Sequence, residues 1–90
     1  MNLMDSLISG EVRVIFRKRG NSTIRDLLCT LNVDDIPPEQ LFVLQKIISS
    51  GQSDRIIVWD LEKNDWRSFY MDSVIETIVV QTKKEINREG

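Results

Sequence analysis

Residues Arg55 to Ile75, RIIVWDLEKNDWRSFYMDSVI, constrain the fold more than any other stretch of this chain. They alternate, break at a polar turn and alternate again. Ile57, Trp59 and Leu61 fall on one face of the first segment and Ile56, Val58 and Asp60 on the other, because successive side chains of an extended backbone point to opposite sides. Glu62 to Asp65 is charged and turn-prone. Beyond it Trp66, Ser68 and Tyr70 oppose Arg67, Phe69 and Met71. Both tryptophans and the only tyrosine lie here, so aromatic pairing across the two strands is expected to hold their register. The reading is a hairpin that forms the wall of a small core.

A second hairpin precedes it. Glu11 to Arg19, EVRVIFRKR, puts Val12, Val14 and Phe16 inward and Arg13, Ile15 and Arg17 outward. Gly20–Asn21 signals a turn, and Ser22 to Leu31 returns as a strand. A two-residue loop sets Arg25 opposite Phe16; a three-residue loop sets Ile24 there instead. Neither register is clean to its end, which implies a bulge near Arg25 to Leu27.

Around these hairpins the chain reads simply. Leu3, Met4, Leu7 and Ile8 have helical spacing and Gly10 stands where a helix would stop, giving a short helix within 1–10 that needs tertiary packing to persist. Asn32 to Glu39, NVDDIPPE, breaks the sheet. Pro38 and Glu39 suit a helix start, and Leu41, Leu44, Ile47 and Ile48 make one apolar stripe, predicting a helix over 38–49. The rival is a further β segment, since Leu41 to Leu44 is continuously apolar. Val74 to Thr82 reads as the last strand, with Ile78, Val79 and Val80 running together as in a strand covered on both sides. Residues 83–90 form a polar tail expected to fray. The fold class is mainly β. It is a small five-stranded SH3- or Sm-like barrel over 11–82, with a short N-terminal helix and a helix inserted between strands two and three, all in one domain of 1–90.

Composition narrows function. The chain has no histidine, which removes the commonest general base and metal ligand together, and it has one cysteine, Cys29, in the apolar run LLCTL. That cysteine reads as a buried, inert thiol, and a lone thiol suits a reducing cytoplasm. Four scattered glycines supply no phosphate-cradling loop. No catalytic constellation, metal site or cofactor is expected, and no run is long enough to span a membrane. The chain is read as a non-enzymatic binding protein of the cytoplasm.

Charge marks a candidate surface. The formal net charge is −2, yet Val12 to Arg25 contains Arg13, Arg17, Lys18, Arg19 and Arg25 and no acid. This basic hairpin is the candidate nucleic-acid or anion site, with Arg13 and Arg17 on one outward ridge and Arg25 on the neighbouring strand. The plainer reading is an edge hairpin kept from aggregating by its charges. Trp66, Arg67 and Tyr70 are candidates for ligand contact or base stacking, whereas Trp59 and Phe69 are assigned to the core. Phe42 and Val43 fall off the helical stripe and are candidate partner contacts.

Several stretches carry a resemblance. CTLN at Cys29 to Asn32, IPPE at Ile36 to Glu39, VWDLEKNDWRSF at Val58 to Phe69 and DSVI at Asp72 to Ile75 resemble the small standalone WYL-like proteins of tailed phages and some bacteria. The resemblance spans Val12 to Ile75 and implies an Sm-like SH3 β-barrel. Trp66, Arg67, Ser68 and Phe69 match the signature region best, with Trp59 and Asp72 beside it. Larger WYL domains are regarded as sensors of nucleic-acid or nucleotide ligands. The resemblance therefore implies a phage accessory factor that binds RNA or a nucleotide and modulates a host defence or transcription system. The alternative is a protein–protein inhibitor of a host enzyme, acting through the acidic side and Gln40–Ile48. Surplus apolar residues and open sheet edges predict a homo-oligomer.

Overall fold

The computed structural model describes residues 3–20, 23–52 and 54–82. In chain order it contains helix α1 (Leu3–Ser9), strands β1 (Gly10–Arg17) and β2 (Ile24–Thr30), helix α2 (Leu41–Ser50), strands β3 (Arg55–Asp60) and β4 (Asp65–Tyr70), and strand β5 (Val74–Thr82). Single 3-10 turns at Val33–Asp35, Pro38–Gln40 and Met71–Ser73 join them. The five strands form one antiparallel sheet in the order β4-β3-β2-β1-β5. The sheet class, the first helix and the helix between strands two and three are as the periodicities imply. The proposed tail lies outside the described residues.

The core follows from strand pairing, because residues directly opposite in an antiparallel ladder share a face. Val12 pairs with Cys29 and Val14 with Leu27, and all four are buried. In the second hairpin Ile56 pairs with Phe69 on the core side, and Val58 beside it is wholly buried. On its other face Trp59 lies opposite Trp66 with ring centroids 5.1 Å apart in an edge-to-face arrangement. That geometry suits the ring quadrupoles and holds the register. Asn64, at φ 55° in the turn, adopts the left-handed conformation that asparagine tolerates better than most residues.

The first hairpin has the register with Arg25 opposite Phe16. The bulge inferred near Arg25 to Leu27 is absent from the β1–β2 pairing, which runs without a shift from Glu11–Thr30 to Arg17–Ile24. The inward face simply ends before Arg25, so a cation there disturbs nothing. The irregularities occur instead where β1 meets β5, between Glu11 and Val12 and between Ile15 and Phe16. Strand β5 also corrects an expectation. It is not covered on both sides: Ile75, Ile78, Val79 and Val80 are 54%, 42%, 50% and 50% exposed. Among the described residues β5 pairs with β1 alone, which leaves it as a sheet edge.

Residues 41–50 are helical, not a strand. Leu44 and Ile47 are buried, and Gly51 ends the helix at φ 64°, with its N–H bonded to the Ile48 carbonyl. Helix α2 therefore has a C-terminal glycine in the left-handed region, the common helix stop. Gln52 follows, and its side-chain amide accepts from Ile57 N–H and donates to the Ile57 carbonyl at 3.2 Å. Strand β2 pairs with β3 only at Cys29–Asp60 and Thr30–Trp59, so Gln52 satisfies strand backbone that β2 does not reach.

Helix α1 is tied down by the segment Thr30 to Asn32. Leu31 N–H donates to the Leu7 carbonyl at 2.9 Å, and Asn32 Nδ2 donates to the Ile8 carbonyl at 2.9 Å. Thr30 Oγ1 donates to the Gly10 carbonyl at 2.6 Å. These bonds supply partners for carbonyls that a helix end otherwise leaves open. Leu7 is fully buried beneath them, so this seven-residue helix persists through tertiary contacts rather than propensity.

Candidate functional site

The end of β1, strand β2 and the β3–β4 turn border a cleft of about 400 Å³. Phe16 and Leu27 supply its apolar lining and Ser68 a hydroxyl. Phe16 is half-buried and its ring lies 5.5 Å from that of Phe69, so the apolar lining is continuous with the core. Four cations border the cleft: Lys18, Arg25, Lys63 and Arg67. The side chains of Lys18, Arg25 and Lys63 make no ion pair among the described residues.

The acids of the cleft are mostly engaged. Asp26 Oδ1 lies 2.8 Å from Arg13. Buried Asp60 accepts from the backbone N–H groups of Glu62 and Lys63 through Oδ1, both at 2.9 Å, which shapes the β3–β4 turn. Its Oδ2 is 3.8 Å from Arg67 Nε, and Asp65 lies 3.4 Å from Arg67 Nη1. Glu62 is the remaining acid. The cleft thus concentrates uncommitted positive charge on a chain that is acidic overall.

The basic hairpin is divided by its ion pairs. Arg13 is committed to Asp26, whose hydrogen bond and charge raise the guanidinium's already high pKa. Arg19 grips Asp72 through both carboxylate oxygens at 2.7 and 2.9 Å, and its guanidinium lies 3.7 Å over the Tyr70 ring. The hydrogen bond to Asp72 likewise raises the Arg19 pKa. Arg17 lines an adjoining open depression with Lys18 and Ser73. Arg25, opposite Phe16, lies on the other face of the hairpin from Arg13 and Arg17. Arg13 and Arg17 thus share the back of the hairpin, and strand alternation puts Arg25 on the cleft side.

The aromatic candidates are already engaged. Trp66 stacks edge-on with Trp59 and donates Nε1–H to Gln40 Oε1 at 3.0 Å, while Arg19 covers Tyr70. Val43 packs against the core, and Phe42 is 62% exposed on α2. Sequence reasoning missed Lys63, Ser68 and Phe16 as cleft residues. Lys63 sits in an ordinary charged turn, and only the meeting of two hairpins brings it to Arg25.

Cys29 is buried, and burial, aided by the charge of Asp60, pushes its thiol up to about 12. That suits an inert thiol, since the thiolate is the nucleophile. No metal-binding group of three or more ligating side chains occurs among the described residues, and no helix there is long and apolar enough to cross a membrane.

The open five-stranded antiparallel sheet, with one helix before it and one inserted after β2, accords with a family match. Residues 1–75 match the family model WYL_2, described as an Sm-like SH3 beta-barrel fold. The chain belongs to the WYL_2 family. No curated protein and no solved structure matches it. The stretches that resemble the family do architectural work in this WYL_2 chain. CTLN anchors α1 through Thr30 and Asn32, IPPE buries Ile36 ahead of α2, and WDLE supplies the turn carboxylate of Asp60. Asp72 of DSVI holds Arg19.

Proposed function

We propose that this chain is a non-enzymatic binding module that holds single-stranded RNA through its backbone phosphates at the cleft between the two hairpins. The observation that carries this reading is the convergence of Lys18, Arg25 and Lys63, none ion-paired among the described residues, around a cleft with Phe16 and Leu27 in its wall. Arginine's planar fork and lysine's ammonium both suit phosphate oxygens, and a half-buried Phe16 offers an apolar surface to a base. Cleft cations gathered from three segments favour an extended anion over a point contact. The wider role, an accessory regulator of a host defence or transcription system, draws its support from the family resemblance.

The test is fluorescence anisotropy of labelled single-stranded RNA with the full chain. Three phosphate contacts on a single strand lower the binding constant by about two log units per tenfold rise in salt. Lys18→Gln, Arg25→Gln and Lys63→Gln together should remove binding and leave the fold intact. Arg19→Gln, whose guanidinium is committed to Asp72 and Tyr70 outside the cleft, should leave binding nearly unchanged. Absence of RNA binding by the unaltered chain at low salt would refute the reading.

One observation favours a second reading, a protein–protein inhibitor. Exposed Phe42 and an apolar groove of about 280 Å³ between Val33, Leu41, Leu44 and Ile48 put non-polar surface on α2. A protein partner retained by the full chain after nuclease treatment, and lost on Phe42→Glu, would support it.

A further inference from the structure

The edge strand β5 carries four exposed large hydrophobic residues, more than any other element among the described residues. Its exposed residues Ile75, Ile78, Val79 and Val80 occupy both faces, and its ladder to β1 uses only one edge. Such an edge is a ready template for another strand. We propose that β5 joins two copies of this chain by antiparallel pairing centred on Val79, so that the sheet of one protomer continues into that of its partner.

Charge and pattern select the second copy. Glu76 is the only charged residue of β5. Pairing about Val79 brings the run Ile78 to Val80 against its own copy and holds the two Glu76 residues about 20 Å apart, at a rise of about 3.3 Å per residue. That separation is well beyond the Debye length of about 8 Å at physiological salt, so no like charges oppose. The other sheet edge is a poorer match. Strand β4 exposes Asp65, Arg67 and Ser68, and pairing with it would set charged and polar groups beside the valines. The β1–β5 ladder is regular from Glu76 to Val79, in step with Ile15 to Val12, and the register shift that follows falls at Val80, beside the proposed axis. A pairing of identical edges is closed: it uses both copies of β5 and stops at two.

The experiment is sedimentation equilibrium of the full chain and of Ile78→Glu, with oxidative cross-linking of Val79→Cys. Ile78 lies opposite Arg13 on β1, so a glutamate there has a cationic neighbour within the protomer. It also places negative charge on both sides of the proposed two-fold axis. The unaltered chain should sediment as a dimer, and Ile78→Glu should halve that mass. In an antiparallel pair opposite Cα atoms are about 4.5 or 5.5 Å apart, both compatible with a disulfide, so Val79→Cys should form a covalent dimer on oxidation. Buried Cys29 should give the parent chain none. A monomer at all accessible concentrations would overturn the proposal, as would a larger ring closed by β5 against β4. A dimer that persists in Ile78→Glu would also overturn it. Should Ile78→Glu not fold, cross-linking decides: a folded Val79→Cys chain that stays uncross-linked sinks the β5 interface.

Discussion

Replacing Thr30 with valine keeps the side-chain shape and removes one hydroxyl. That hydroxyl is fully buried, donates to the Gly10 carbonyl at 2.6 Å and accepts from Asn32 N–H at 2.9 Å. Losing the donated bond costs about 1 kcal/mol net, and leaving the buried Asn32 N–H without a partner adds about 1 to 3 kcal/mol. The expected loss is therefore about 2 to 4 kcal/mol. A domain of this size holds about 5 to 13 kcal/mol in all, so the change is large. Urea unfolding should show a lower midpoint at unchanged slope. Amide exchange should rise first at Leu31 and Asn32, where β2 hands over to the α1 anchor. Thr30→Ser, which keeps the hydroxyl, should recover most of the stability. A valine variant within about 0.5 kcal/mol of the parent, the usual span of surface substitutions, would refute the assignment of this hydroxyl as the tie between α1 and the sheet.

Trp59→Ala should cost about 3 to 5 kcal/mol, because Trp59 is 4% exposed and its loss also strands Trp66; thermal unfolding checks this, and a shift of only a few degrees would contradict it. Cys29 should resist iodoacetamide in the native chain and react at once when unfolded. Its thiol rises from an ordinary 9.0 to about 12, so the folded state holds this proton more tightly than the unfolded state does. The resulting stabilisation is intact below pH 9 and lost as pH rises toward 12. The stability difference between the parent and Cys29→Ala should shrink over that interval, and a flat difference would disprove the burial argument.

Local periodicity was enough to read much of the fold. The alternation of Ile56, Val58, Phe69 against Trp59 and Trp66 needs only the two-residue repeat of a strand, and it located the second hairpin and its aromatic pair. Pro38, the stripe through Ile47 and Gly51 likewise mark α2 from within a few turns of chain. What the local pattern could not carry was partnership between distant residues. Arg13 and Asp26 are 13 positions apart and Arg19 and Asp72 are 53 apart, yet these pairings decide which arginines of the basic hairpin are already committed. Arg25 and Lys63 meet at one cleft because two hairpins fold together, and β5 is bare because it lies at a sheet edge. In sequence, the residues of the basic hairpin are all simply cationic, and the valines of β5 are simply apolar. Charge pairing and burial depend on distance in space, where electrostatic attraction fades over about 8 Å and apolar contact over less, so only the tertiary structure could separate the spent groups from the available ones.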